Sequence, residues 1–222
     1  MKNKMVKIKN ALISVSNKSG LKNFVSDLNS LDIKVVASGG TAKFIENKGF
    51  NVIDIEKITG FPQLLGGRVK TLHPKIHSSI LADRENQHHI KDLKKMEIDT
   101  IDLVVCDLYP FSDAVDKKKD VDYCVENIDI GGITLLRAAG KNFKYVTVIT
   151  NISQYQEVID HLKQNKGYST YKFRLKKANQ AFKCSNNYDF QIFKWFNQLN
   201  KKEFSEFIFP NKKLEDMLTY GE

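Results

Sequence analysis

Short runs of apolar, β-branched residues alternate along the first two thirds of the chain with stretches in which apolar residues recur every three or four positions. The apolar runs are ALISVS, IKVVAS, NVIDI, IDLVVCDLYPF and YVTVIT, and the stretches of helical period include GLKNFVSDLNSL, TAKFIENKGF, HHIKDLKKM and QYQEVIDHL. Such alternation predicts βαβ units. Because the apolar runs are continuous, we expect an α/β fold whose mostly parallel sheet is covered by helices on both faces.

The pattern changes after Thr150. The segments YKFRLKKANQAF and YDFQIFKWFNQL predict two amphipathic, aromatic-rich helices with no strand between them. The closing segment KKEFSEFIFPNKKLEDMLTYGE is mixed and polar and carries no cap signal, which is typical of a tail or of a segment cut from a longer context. We therefore expect a first domain over residues 1–150 and a helical appendage with a truncated linker over residues 151–222.

The stretch GFPQLLGGRVKTLHPKIHSSIL, Gly60 to Leu81, contains two prolines and two adjacent glycines. A helix of that length would not tolerate the glycines and Pro74 in its interior, and a central strand would not accept Pro62 or Pro74. The sequence predicts a functional loop here.

Composition sets the broad class of protein. The chain of 222 residues is long enough for one main core. Its three cysteines have no Cys-x-x-Cys spacing, so neither a disulfide framework nor a structural zinc site is indicated, and a reducing cytoplasm fits best. No apolar run reaches the roughly 18 residues of a membrane helix, so we expect a soluble protein.

The formal charge of +9 raises the possibility of nucleic-acid binding. The basic clusters are, however, interrupted by acids: Asp120 follows Lys117 to Lys119, and Glu215 follows Lys212-Lys213. The favoured interpretation is that these basic residues lie on solvent-exposed surfaces of helices and loops. The positive field would also attract a small anionic substrate.

Polar residues gather where the predicted strands end, which is where ligands bind in parallel sheets. The run ASGGT brings Gly39-Gly40 and Thr41 to the start of a helix, where backbone N–H groups and the helix dipole attract anions. A plain strand-to-helix turn with a threonine cap is an equally good interpretation. The other two strand ends carry Ser14, Ser16, Asn17 and Lys18, and Asp107 and Tyr109.

Arg68 and Lys70 follow the Gly-Gly pair and would be free to approach an anionic ligand, although exposed basic residues on a loop are common. His73 and His77 have the four-residue spacing of helical metal ligands, but Pro74 lies between them and the HExxH glutamate is absent. We do not expect a metal site.

The segment ENIDIGGITLLRAAGKN places Asp129 before a short helix and Lys141 at its end. The helix dipole alone would explain both charges. On spacing alone, that explanation is the favoured one.

Six motifs together carry a resemblance to a known family: SVSNKSGL, ASGGTAKF, TGFPQLLGGRVKTLHPKIH, LVVCDLYPF, ENIDIGGITLLRAAGKN and KANQAF-x5-YD. They resemble the IMP cyclohydrolase domain of the bifunctional purine biosynthesis protein over nearly the whole chain. The resemblance implies a methylglyoxal synthase-like fold and closure of the purine ring of 5-formamidoimidazole-4-carboxamide ribonucleotide. It implies no cofactor and no metal.

The resemblance also assigns roles to individual residues. It implies catalysis by Lys70, Tyr109, Asp129 and Lys141. If the helix between Asp129 and Lys141 is straight, its ends are about 15 Å apart at about 1.5 Å per residue, so we expect it to lie alongside the bound nucleotide with its ends flanking it. The resemblance implies nucleotide binding by Ser16, Asn17, Lys18, Ser38, Gly39, Gly40, Thr41, Arg68, Lys70, Thr71, Cys106 and Asp107.

The sequence departs from the family pattern at a few positions. The family usually has Asp where Asn17 stands, Asn where Asp107 stands, and Gly-Gly where Ser78-Ser79 stand. Because a carboxylate accepts hydrogen bonds but an amide also donates them, we expect Asp107→Asn to keep or improve substrate affinity.

The closing LEDMLTYGE resembles the start of the family's transformylase half. The resemblance therefore implies a chain that cyclises the formylated ribonucleotide but transfers no formyl group, and that forms a homodimer or binds a separate AICAR transformylase through its aromatic helices. The alternative is a non-catalytic nucleotide-binding regulatory module of the same fold. Methylglyoxal synthase itself is a third possibility, but its aspartate and histidine motifs are missing.

Overall fold

The computed structural model describes residues 4–62, 65–67, 69, 71–117 and 120–199. Within these residues the strands are β1 Val6–Lys7, β2 Asn10–Ser14, β3 Lys34–Ala37, β4 Ile53–Asp54, β5 Leu103–Cys106, β6 Thr147–Ile149 and β7 Tyr168–Ser169. The helices are α1 Leu21–Ser30, α2 Gly39–Asn47, α3 Ile55–Thr59, α4 Pro74–Leu81, α5 Gln87–Lys95, α6 Phe111–Asp116, α7 Val121–Glu126, α8 Gly131–Lys141, α9 Tyr155–Gln164 and α10 Tyr171–Leu199. Short 3-10 turns cover Leu65–Gly67 and Ile152–Gln154.

The main sheet has five strands in the order β4-β3-β2-β5-β6, and every neighbouring pair is parallel. Each of these strands falls in an apolar run that predicted one. The two-residue strands β1 and β7, which the pattern did not predict, pair antiparallel with each other. The α/β prediction with a mostly parallel sheet is confirmed.

Helices cover both faces of the sheet, as the continuous apolar runs predicted. Successive residues of β2 enter opposite cores: Ala11 and Ile13 pack with α1, α2 and α9, whereas Leu12 packs with α4, α8 and α10. A smaller third cluster joins Phe111 and Cys124 to Tyr188 and Trp195 of α10.

The strand order creates a crevice in the middle of the sheet. From β2 the chain moves outward to β3 and β4, and it then returns to the other side of β2 to form β5 and β6. The loops after β2 and β5 therefore leave neighbouring strands toward opposite faces. In parallel sheets such a point of reversal is where ligands bind.

The prediction of two C-terminal helices is wrong, because Tyr171–Leu199 form one helix of 29 residues. No Gly or Pro interrupts the segment KCSNN between the two predicted helices. Its Ser and Asn residues are weak helix formers, but packing of α10 on α8 and β6 holds the helix continuous through this segment.

The Gly60–Leu81 stretch is only partly a loop, since its last eight residues form α4. Pro74 occupies the first turn of this helix, where its missing N–H costs nothing, and the side chain of His73 accepts the N–H of Lys75 as a cap. His73 therefore lies outside the helix and does not share a helical face with His77.

The predictions for the closing segment fall on residues 200–222, which lie outside the described part of the chain. None of the helices in the described ranges is long and apolar enough to cross a membrane.

Candidate active site

A cavity of about 600 Å³ opens at the carboxyl ends of β2, β3 and β5. Its walls come from five parts of the chain: the loop after β2, the start of α2, the Gly60–Leu81 stretch, the loop after β5, and the segment from α7 to α8. The lining residues are Ser14, Val15, Ser16, Lys18, Ser38, Gly40, Thr41, Gly66, Thr71, Asp107, Tyr109, Val125, Glu126, Ile128, Asp129, Ile130, Gly131 and Gly132.

The start of α2 forms one end of the cavity. Gly39 has a φ of 52°, a backbone conformation that favours glycine, and it turns the chain from β3 directly into the helix. Ser38 precedes the helix, and its side chain makes no capping hydrogen bond. The cavity therefore meets the positive end of a nine-residue helix.

The loop after β2 is tied to the start of α2. The hydroxyl of Thr41 donates to the carbonyl oxygen of Val15 at 3.1 Å, and the ammonium group of Lys18 lies 3.0 Å from the same hydroxyl oxygen. Lys18 also donates to the carbonyl oxygen of Val15. A cation is thus held beside the helix start, which adds to the positive potential there.

Asp107 connects the ends of β5 and β2. Its carboxylate accepts the backbone N–H groups of Ser16 and Asn17, the second at 3.0 Å between N and Oδ2. The expectation that Asp107→Asn keeps or improves substrate affinity considered only the contact with the substrate. Because each oxygen of this carboxylate accepts one backbone N–H group, Asp107 acts on the loop after β2.

Asp129 lines the cavity just before α8. Its Oδ1 accepts the N–H of Gly132 at 2.6 Å, and its Oδ2 accepts the N–H of Tyr109 at 3.4 Å. Burial raises the pKa of this carboxyl group above its ordinary value, and the nearby Asp107 carboxylate raises it further. The two backbone N–H donors lower the pKa but do not cancel the effect of burial.

Close packing at the start of α8 requires glycine. A Cβ atom on Gly132 would lie 2.5 Å from Oδ2 of Asp129, and one on Gly131 would lie 2.9 Å from Oγ1 of Thr71. The pair therefore lets the helix start, the carboxylate and Thr71 approach one another.

Most of the residues implied by the resemblance meet at this cavity. Its described lining includes Ser16, Lys18, Ser38, Gly40, Thr41, Thr71, Asp107, Tyr109 and Asp129. Gly39 and Asn17 are adjacent to lining residues without lining it themselves, and the side chain of Asn17 accepts the N–H of Ser19 instead. Cys106 is buried below the cavity, with its sulfur 3.8 Å from the carbonyl oxygen of Gly132.

Three further predicted residues are not part of the described cavity. Arg68 and Lys70 lie outside the described residues. Lys141 is exposed at the far end of α8, about 15 Å from its start by helix geometry. Of α8, only Gly131 and Gly132 line the described cavity, and the expectation that this helix lies alongside a ligand with both ends flanking it stays a prediction.

Several residues at the site were not predicted. Ile128 and Ile130 line the cavity beside Asp129, and Tyr188 of α10 contacts the backbone of Asp129. The tyrosine belongs to KANQAF-x5-YD, a motif that carried the family resemblance but had no role attached to it.

Comparisons with known proteins agree with the fold and with the arrangement of these motifs. Residues 20–134 match the family model "MGS-like domain", and residues 139–222 match "AICARFT/IMPCHase bienzyme". The chain is 44% identical over 218 residues to the bifunctional purine biosynthesis protein PurH of Acetivibrio thermocellus and 43% identical over 216 residues to that of Bradyrhizobium diazoefficiens. Each alignment covers 97% of this chain but only 42% and 41% of the relative, respectively.

A solved structure is also similar. The crystal structure of ForH superposes with a TM-score of 0.72 and 32% sequence identity, covering 85% of this chain and 99% of that one. The chain belongs to the MGS-like domain family and corresponds within it to the IMP cyclohydrolase domain of the bifunctional purine biosynthesis proteins.

Proposed function

We propose that this chain is an IMP cyclohydrolase of purine biosynthesis, which closes the ring of 5-formamidoimidazole-4-carboxamide ribonucleotide to give IMP and water. The observation that carries the proposal is a partly buried carboxyl group of raised pKa, that of Asp129, which lines the same cavity as a helix start that suits a phosphate. Membership of the IMP cyclohydrolase domain family supports it.

The 5′-phosphate would bind at the start of α2. Backbone N–H groups at the start of a helix can donate to a phosphate oxygen. In α2 the N–H groups of Thr41 and Ala42 donate to the carbonyl oxygen of Ser38. The phosphate would therefore accept those of Gly39 and Gly40. Ser38 and Lys18 add a hydroxyl group and a positive charge at this end of the cavity. With the phosphate bound there, the imidazole ring would extend toward Asp129.

Ring closure makes a bond from the carboxamide nitrogen to the formyl carbon. The carboxamide nitrogen must lose one proton, and the formyl oxygen gathers negative charge in the tetrahedral intermediate. That oxygen leaves as water after it has gained two protons, which balance the proton from the carboxamide nitrogen and the one that the formamide nitrogen loses as the C=N bond forms. The amide is a poor nucleophile, so a group that exchanges protons near neutral pH lowers the barrier. Asp129 fits this role because burial has moved its pKa upward, toward the operating pH.

The negative charge that develops on the departing oxygen must be stabilised by hydrogen-bond donors or by a cation. Tyr109 lines the cavity next to Asp129 and is 53% exposed, so its ring is free to turn toward a ligand. Lys70, which the family resemblance assigns to catalysis, would supply the positive charge. The same resemblance assigns Lys141 to catalysis, and we place it with Asp129 in proton transfer. Because α8 carries Lys141 away from the cavity, its variant tests this role separately.

The test is a spectrophotometric assay of IMP formation by the purified chain. We expect turnover of the formylated ribonucleotide, and a loss of more than about tenfold in kcat for Lys70→Ala and for Lys141→Ala, which corresponds to about 1.4 kcal/mol of transition-state stabilisation. The exposed Lys94→Ala is the matched control and should keep the wild-type rate.

The outcomes separate the possibilities. Absence of turnover together with tight binding of purine ribonucleotides would overturn the proposal in favour of a regulatory module. Turnover with a wild-type rate in Lys141→Ala would remove Lys141 from the mechanism and leave the cyclohydrolase activity standing.

A further inference from the structure

The segment that carries Asp129 into the cavity is held from behind by the C-terminal helix. The hydroxyl oxygen of Tyr188 accepts the backbone N–H of Asp129 at 2.7 Å, and the hydroxyl group donates to the carbonyl oxygen of Asn127 at 3.4 Å. Tyr188 lies 59 residues further along the chain than Asp129, so this contact exists only because α10 packs against the site.

The tyrosine is well suited to fix a backbone position. Its side chain is only 6% exposed, and its ring contacts Phe111 edge-on with the ring centroids 6.4 Å apart. Phe111 in turn packs edge-on against Trp195, with the ring centroids 5.4 Å apart. Trp195 lies about two helical turns beyond Tyr188 along α10. A buried aromatic cluster of this kind leaves the ring little freedom, so the hydroxyl group is presented at a defined point.

Asp129 is thereby held on both its backbone and its side chain. Tyr188 fixes the main-chain N–H, while the N–H groups of Gly132 and Tyr109 fix the two carboxylate oxygens. If the phenol hydroxyl were absent, the N–H of Asp129 would lose its partner and the turn before α8 would be free to shift. A shift of about 1 Å in a reacting group can cost as much as about a hundredfold in rate.

We propose that Tyr188 is a positioning residue that holds Asp129 in the orientation needed for proton transfer, so that α10 is part of the active-site framework. The inference rests on the proposed cyclohydrolase function. Tyr188 does not touch the cavity and acts only through Asp129.

The experiment compares Tyr188→Phe with Tyr145→Phe in the full chain. Tyr145 is the matched control because it is 1% exposed and its hydroxyl also makes a 2.7 Å hydrogen bond, to Asp83 on a different part of the surface. Both substitutions keep the ring and remove one bonded hydroxyl. We expect Tyr188→Phe to lower kcat about tenfold with KM changed by less than about threefold, and Tyr145→Phe to leave both within about twofold.

Amide hydrogen exchange gives a second measurement that needs no turnover. Exchange at the N–H of Asp129 should accelerate in Tyr188→Phe and stay unchanged in Tyr145→Phe. Equal losses of melting temperature in the two variants, with kcat unchanged in both, would overturn the inference and leave Tyr188 a purely structural residue. Absence of IMP formation by the wild-type chain would instead overturn the proposed function, and with it the catalytic purpose of the contact.

Discussion

At the scale of single residues, Asp107 holds a loop of the cavity in place through hydrogen bonds to its backbone. The family resemblance assigns it to nucleotide binding, and it lines the cavity. Its carboxylate, however, accepts the N–H groups of Ser16 and Asn17 and so fixes the loop that carries Lys18. An amide offers one acceptor oxygen instead of two, and its NH₂ group would face one of these N–H donors.

We therefore expect Asp107→Asn to raise KM for the formylated ribonucleotide about tenfold, because a charge-assisted hydrogen bond to the loop is lost and one backbone donor is left unpaired. Steady-state kinetics measure the effect, and the exposed Asp113→Asn serves as the control. An unchanged or lower KM would restore the original expectation that an amide at this position binds substrate at least as well.

At the scale of the elements, a buried arginine connects α10 to several other parts of the molecule. Arg174 is fully buried and donates to the carbonyl oxygens of Lys4, Phe143, Lys144 and Ser169. Burial lowers the pKa of its guanidinium group to about 10, so the group is still charged at neutral pH. Arg174 thus ties α10 to the start of the chain, to β7 and to the turn before β6.

Arg174→Met should lower the free energy of unfolding by about 3–5 kcal/mol, because several buried carbonyl groups would lose their donor at once. Lys176→Met on the same helix is the control: its ammonium group is 59% exposed in an ion pair with Glu157, and it should cost less than about 1 kcal/mol. Urea denaturation of the two variants measures both values, and similar stabilities would contradict the role given to Arg174.

The junction of α9 and α10 contains a histidine that must stay neutral. The ring of His161 stacks on Phe173 with the centroids 3.8 Å apart, and its Nε2 accepts the N–H of Thr170 at 3.2 Å. Burial lowers the pKa of His161, with the Glu157 carboxylate opposing the change. A protonated imidazole could not accept this hydrogen bond.

Because the folded state binds this proton less readily than the unfolded chain, stability should be lost as the pH falls below about 6.5, the ordinary histidine pKa. We expect the melting temperature of His161→Gln to depend less steeply on pH between about 7 and 5 than that of the wild type. The exposed His88→Gln should retain the wild-type slope. Parallel curves for all three proteins would show that His161 does not set the acid sensitivity.

At the scale of the whole molecule, contacts cross the expected domain boundary at residue 150 in every layer. Val158, Ile159 and Leu162 of α9 enter the core on one face of the sheet, and Ala181 of α10 enters the core on the other. The strand β7 also pairs with β1 at the beginning of the chain. The boundary itself stays a prediction.

We expect a fragment that ends at Thr150 to lack a cooperative thermal transition, because removal of α9 and α10 would expose apolar surface on both faces of the sheet. A fragment that ends at Leu199 keeps all of these contacts and should melt cooperatively. Circular dichroism during heating distinguishes the two. A sharp transition in the shorter fragment would show that residues 1–150 form an independent domain.

Hydrophobic periodicity is a local property, and it predicted the five strands of the main sheet and the helices α1, α2, α5 and α9. It also predicted, correctly, that polar residues after β2, β3 and β5 would share one edge of the sheet, because parallel strands place their carboxyl ends together. The short helices α3, α6 and α7 escaped prediction because six residues or fewer show too little of a helical period.

Tertiary packing decided the rest. The contact of Asp107 with Ser16 and Asn17 depends on β5 lying next to β2, and the contact of Tyr188 with Asp129 depends on how α10 crosses α8. The direction of α8, which carries Lys141 away from the cavity, is set by apolar residues such as Leu135 and Leu136 packing against the sheet. By itself the sequence determined the fold class and the family, because periodicity and motifs are written along the chain. Which side chains face one another was settled only by strand order and helix packing, since both depend on residues far apart in the sequence.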